Sequence, residues 1–118
     1  STMHPKSPQL LDDIRDAGSQ IAEWTANVSF EEYERDRLLR AGVERMFLTI
    51  GEALVRLARI DEETAEGIGE RRAIVGFRNR LAHGYDHTDD HLVWQVVRTQ
   101  LPILVAEVSD LRANASAK

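Results

Sequence analysis

Apolar residues in this chain recur at three- and four-residue steps almost throughout, and no stretch shows the alternation of a half-buried strand. The first run is Leu10, Leu11, Ile14, Ala17, Ile21 and Trp24. Ser7 and Pro8 precede it and predict an N-cap and a first helical residue: a serine hydroxyl can accept an orphan N–H, and proline has none to lose. Ser29 with Glu32 forms a capping box for the next start. A long helix is predicted from near Asp36 to Ile60, with Leu39, Val43, Met46, Phe47, Ile50, Leu54 and Leu57 on one stripe. In "DEETAEGIGERR", Asp61 can cap a short turn, and Gly67 and Gly69 interrupt it. A shorter helix is expected from about Arg71 to His83, burying Ile74, Phe77 and Leu81, with Gly84 placed to stop it. The last begins near Thr88 or Asp89 and turns Val93, Val97, Leu101, Leu104, Val108 and Leu111 inward, with a kink at Pro102.

These elements predict an all-α, up-and-down bundle of four or five helices. Residues 1–6 are expected to be an appended, disordered N-terminus, with an initiator-like Met3. Residues 7–112 form the helical domain, and residues 113–118 a frayed tail. At 118 residues the chain holds one core and no second one.

Composition narrows the function more than the fold. Hydrophobic residues are 42% and charged residues 30%, as in an ordinary globular protein. No apolar run approaches the ~20 residues that span a bilayer, no signal peptide is visible, and the absence of cysteine removes thiolate chemistry; the expected compartment is the cytoplasm. A net charge of −5 argues against a non-specific nucleic-acid coat, so a polyanion would need a local basic patch. Arginine outnumbers lysine 13 to 2, which suits planar contacts to carboxylate or phosphate.

Such a patch exists in "RRAIVGFRNRLAHGY", Arg71 to Tyr85, with four arginines and no acid. The plain interpretation is a solvated helix face whose terminal histidine favours the helix dipole. Spacing raises a second one. Asn79 and His83 are four apart and share a face, so the amide could orient the imidazole or help to hold a phosphate. Arg78 and His83 are five apart, about 140° around an ideal helix. They converge if Gly84 ends the helix and frees His83 to turn while the long Arg78 side chain reaches around, or if they come from two chains across a two-fold axis, and the spacing does not choose between these.

RNA cleavage needs little more than these groups. An imidazole can take the proton of a ribose 2′-hydroxyl or give one to the leaving 5′-oxygen. A guanidinium can grip the scissile phosphate and stabilise its transition-state charge. Acid and base must be separate groups, and each chain offers one such histidine, so a dimer is expected on chemical grounds.

"FRNRLAHGY" resembles the R-x-x-x-x-H-x-Y motif of HepT-like toxins, ribonucleases of the HEPN superfamily found in toxin–antitoxin pairs. "RMFLTIGEAL", Arg45 to Leu54, is similar to a second block of that family, an arginine followed by an apolar run and "GEA". The resemblance covers most of the chain. It implies a HEPN-like homodimer with Arg78 and His83 as the catalytic pair in a cleft between subunits, and metal-independent RNA cleavage without a cofactor. Asn79 is then the polar residue after the arginine, Arg80 an added contact for RNA, and Tyr85 the motif tyrosine. The implied partner is a small nucleotidyltransferase antitoxin, which silences such toxins by attaching AMP to that tyrosine. A tyrosine packed over the helix end is the plain alternative for Tyr85.

Other features are weaker. Arg45 and Glu52, seven apart, would share a face of the long helix and are expected to form an ion pair within the bundle. "GIGER" lacks the third glycine and the preceding strand of a dinucleotide fingerprint. His87 and His91 in "DHTDDH" have metal-ligand spacing but read as a solvated turn. Trp24 and Trp94 are expected to pack rather than to stack on bases. The competing function is a non-catalytic HEPN module that binds a nucleotide or a protein partner through the same basic patch.

Overall fold

The apolar stripes turn inward together in the computed structural model, which describes residues 2–83 and 89–116. Among these residues there are seven helical segments and no strand: α1 (Ser7–Thr25), α2 (Phe30–Arg35), α3 (Arg37–Ile60), α4 (Glu62–Glu66), α5 (Arg71–His83), α6 (Asp90–Arg98) and α7 (Gln100–Ser116). The α3 stripe is the spine. It packs against α1 on one side and α5 on another, and α7 closes over α1. Leu11, Ile14 and Ile21 of α1 are fully buried, as are Val43, Phe47, Ile50, Leu54 and Leu57 of α3 and Leu104 and Val108 of α7.

The number of helices exceeds the expectation for local reasons. Residues 30–35 close their own turn through the expected capping box: Ser29 Oγ accepts from Glu32 N–H, and Glu32 Oε1 accepts from Ser29 N–H. Asp61 caps α4, accepting from Thr64 N–H at 3.2 Å. The expected kink near Pro102 is a full break at Thr99, whose φ of −113° and ψ of −60° separate α6 from α7. Proline lacks the N–H that would bond four residues back, so the ladder has no rung from Pro102 to Arg98.

Ser7 does not act as the expected cap. Lys6 occupies the N-cap position without a side-chain bond, and Ser7 is already helical. Its hydroxyl instead donates to Asp61 Oδ2 at 2.6 Å. The same carboxylate accepts from Thr64 Oγ1 and from His4 N–H. Burial raises the Asp61 pKa, but these donors outweigh it and hold the group down at about 2. A charged acceptor shared by several donors is a stronger partner for Ser7 than a backbone N–H.

Candidate active site on helix α5

Helix α5 is fixed at its start, its middle and the start of the helix that follows it. At the start, Glu107 of α7 accepts from Gly69 N–H at 2.7 Å and Glu70 N–H at 3.1 Å. These N–H groups lie just ahead of the helix, where a carboxylate is favoured by the dipole. In the middle, Ile74 and Phe77 are buried, and the Phe77 ring meets Phe47 edge-on at 4.9 Å. Leu81 is half-buried. Beyond residues 84–88, Asp90 at the head of α6 pairs with Arg40 of α3 at 3.3 Å. Tyr33 is buried against this corner; burial, then the charges of Glu44 and Asp90, push its phenol above the usual range.

Arg78 leaves α5 on the flank facing α3. Its aliphatic stem lies directly over Gly51: a Cβ built there would run into the Cβ and Cγ of Arg78. Only glycine lets the two helices approach so closely. The Arg78 side chain is 25% exposed, with Nη2 3.7 Å from Glu52 Oε1 and Nη1 donating to Asn79 Oδ1 at 3.1 Å. Its Nε is buried and meets no acceptor among the described residues. Arg40 Nε and the Tyr33 hydroxyl are likewise buried without a partner among the described residues, so this state is not confined to Arg78.

The other proposed residues are distributed unequally. Asn79 and Arg80 are exposed on α5, and the Asn79 amide is spent on Arg78 rather than on His83. His83 is the last residue of α5 and is exposed. Because the helix runs unbroken through both positions, Arg78 and His83 stay about 140° apart around the same axis. One chain therefore presents them on different sides. Tyr85, Gly84 and His87 lie outside the described residues.

The expected Arg45–Glu52 pair is replaced. Glu52 reaches across to Arg78, because their helices are in contact where Gly51 has no side chain. Glu52 thus belongs to the surroundings of the site rather than to the surface of α3. Sequence reasoning missed Gly51 itself, although a glycine inside a strong apolar stripe, where it weakens a helix, was the available signal. His91 stacks on Phe30 at 4.1 Å, and Trp94 lies under the Arg98 guanidinium at 4.4 Å. Trp24 is half-exposed and covers Gly42. Among the described residues no three His, Asp or Glu side chains gather as a metal set, and no helix is long and apolar enough to cross a membrane.

Comparison with known proteins decides the family. The chain matches the profile of the ribonuclease HepT-like family over residues 14–111, which takes in both the Gly51–Glu52 seat and the whole of α5. The chain belongs to the HepT-like ribonuclease family. A Methanocaldococcus jannaschii protein provisionally named an RNase is 29% identical over 99 residues, covering 84% of this chain and 90% of its own length. A second RNase-named protein of that organism is 25% identical over 92% of this chain and 89% of its own length. A Thermococcus cleftensis protein named a probable ribonuclease HepT is 28% identical over 86% of this chain and 92% of its own length. No solved structure matches the chain significantly. Arg78 and His83, the two residues expected to match the family's motif, both lie on α5.

Proposed function

We propose that the chain is a metal-independent endoribonuclease toxin whose cleavage site is shared between two copies, with Arg78 and His83 meeting in a cleft at the dimer interface. Its partner is a minimal nucleotidyltransferase antitoxin able to attach AMP to Tyr85. The observation that carries this reading is the placement of Arg78, its stem seated on Gly51 of α3, its side chain one-quarter exposed, and one carboxylate at the long distance of 3.7 Å. A phosphodiester oxygen could approach the exposed part of the guanidinium more closely than Glu52 does, in a charge-assisted bond.

In the reaction, the ribose 2′-oxygen attacks phosphorus and loses its proton to one His83. The bond from phosphorus to the 5′-oxygen breaks, and the second copy's His83 returns a proton to that leaving oxygen. The products are a 2′,3′-cyclic phosphate and a 5′-hydroxyl. Arg78 holds the phosphate and stabilises the charge that grows on it. Asn79 positions Arg78 through its amide, and Arg80 adds attraction for the RNA backbone. The angular separation of Arg78 and His83 supports two copies, since neither residue has to leave its helix for a neighbour's side chain to complete the pair. Adenylates on Tyr85, two residues from His83, would put bulk and negative charge where the substrate phosphate sits.

The test is incubation of the purified protein with RNA in EDTA, with end-group analysis of the products and light scattering of the protein. A dimer that releases fragments with 2′,3′-cyclic phosphate and 5′-hydroxyl ends supports the reading. Tight binding with RNA left intact would make the chain a non-catalytic binding module instead. Co-expression with the nucleotidyltransferase is expected to raise the mass of the Tyr85 peptide by one or more AMP units; an unmodified peptide from an inactivated protein would mean inhibition by binding alone.

A further inference from the structure

Gly76 stands at the midpoint of the exposed side of α5, and nothing among the described residues asks for a glycine there. Among the described residues no glycine has a positive φ, so the backbone does not require it. A Cβ built on Gly76 would meet no atom of the described residues within 4 Å, so their packing does not require it either. Gly51 and Gly69, by contrast, are each closed over by a neighbouring side chain. A glycine in mid-helix weakens the helix relative to alanine. An unforced one on an open face leaves room for something from outside to come close to the backbone.

The surroundings indicate what comes close. Gly76 lies on the seam between two hollows, one of about 520 Å³ between α3 and α5 and one of about 290 Å³ between α5 and α6. Arg59, Arg71 and Arg72 line the first, Arg72 and Arg80 the second, and among the described residues neither lining contains a carboxylate. None of these four arginines takes part in an ion pair among the described residues. Arg15, Arg40 and Arg112 are matched to aspartate, while Arg37, Arg45 and Arg56 also form no ion pair among the described residues; this face is marked by four arginines lining two adjoining hollows. A second copy pressed flat on this face would set guanidinium against guanidinium under two-fold symmetry, with no acid to intervene. A polyanion gains where a second copy would lose.

Resting on the ribonuclease reading above, we infer that this face is a subsite for the RNA strand flanking the cleavage point. The backbone passes over Gly76, and its phosphates bridge Arg72 with Arg59 and Arg71 on one side and with Arg80 on the other. Gly76 is seven residues from His83, about 10 Å along the helix axis. That distance is about three nucleotides of stacked strand. The subsite would therefore hold RNA beyond the scissile phosphate and supply affinity that the catalytic pair alone does not.

The experiment measures the affinity of a short fluorescein-labelled single-stranded RNA of mixed sequence across a range of salt. His83→Ala serves as the background, so that the probe stays intact. Gly76→Gln, which introduces a good helix former, is expected to raise the melting temperature and weaken RNA binding roughly tenfold or more, the value of one charge-assisted contact. Arg72→Gln is expected to leave the melting temperature unchanged and to reduce the slope of log K against log salt by about 0.7 for each phosphate it ceases to neutralise. Parent-like affinity and slope in both variants would overturn the subsite, as would a background protein with no measurable affinity at low salt. A change in oligomeric mass in Gly76→Gln, with RNA affinity intact, would assign the face to association between copies and overturn it too. Affinity is read separately from cleavage. A parent that binds but does not cut therefore sinks only the enzymatic reading, and variants that bind normally beside a cutting parent sink only this one.

Discussion

Two sets of arginines in this chain carry the same charge into opposite surroundings. On the side built by α1, α6 and α7, each is matched. Arg112 Nε donates to Asp12 at 2.8 Å, Arg15 sits between Asp12 and Asp16, and Arg98 donates to the carbonyls of Thr25 and Val28 while covering Trp94. On α5, Arg72 and Arg80 are exposed and Arg71 is half-exposed, with no carboxylate in reach among the described residues; Arg78 has only a distant one. The first set closes the ends of helices and ties one helix to the next. The second does nothing for the fold that a neutral side chain could not do. Four arginines without a carboxylate closer than 3.7 Å among the described residues stand on this one helix, and such uncompensated charge can attract an anionic ligand.

The contrast can be broken most sharply at the contact between α3 and α5. Gly51→Ala must displace Arg78 or push the two helices apart, and is expected to destabilise the fold by roughly 1–3 kcal/mol, as overpacking does, despite alanine's better helix propensity. RNA cleavage should fall with it; urea unfolding beside a cleavage assay measures both. A stable and active Gly51→Ala protein would mean that the seat under Arg78 is unimportant. On the matched side, Arg98→Ala removes a charged donor from two carbonyls and is expected to cost about 1–2 kcal/mol in denaturant unfolding with RNA affinity retained. Loss of RNA affinity without loss of stability would reverse the division between the two sets.

Acid sensitivity sharpens the same division from the structural side. Asp61 is held near 2, below its ordinary 3.8, so it binds fewer protons folded than unfolded. Its contribution is present above about pH 4 and is lost as the pH falls toward 2. After allowance for solvent screening this is on the order of 1 kcal/mol. Asp61→Asn is therefore expected to lower stability at neutral pH and to flatten the acid limb of a melting-temperature profile; an acid limb of unchanged steepness would contradict it. The smallest stability effect should come from the unmatched set. Arg71→Gln and Arg80→Gln are expected to shift unfolding by no more than about 0.5 kcal/mol. Both should nevertheless weaken RNA binding and its salt dependence, and a stability loss like that of Arg98→Ala would show that they had fold partners after all.

The helices themselves were legible because each rests on local signals. The α3 stripe, the Ser29–Glu32 box, the Asp61 cap and the span of α5 all follow from spacing and from side chains within four residues of one another. What escaped depends on residues far apart in the chain. Ser7 abandons a cap for a carboxylate 54 residues away, Glu107 reaches the head of α5 from α7, and Glu52 turns to Arg78 instead of Arg45. Pro102 was legible as a disturbance, but whether a helix bends or breaks there depends on what packs on either side. At the candidate site the helix that carries Arg78, Asn79 and His83 was readable, and so was the angular separation of Arg78 and His83 on it. Gly51 under Arg78 and the open space over Gly76 were not, since both concern what lies opposite a residue rather than what the residue is.

The most direct measurement is the rate of RNA cleavage in EDTA by the parent protein and by His83→Ala, compared at matched circular dichroism and melting temperature. His83 is exposed and outside the core, so its removal should leave the fold intact while cleavage falls by about 10²–10⁴-fold, the range for a positioned acid–base group. Equal rates in the two proteins, or a folded parent that does not cut RNA at all, would contradict the assignment of this helix end as the place where the phosphodiester is broken.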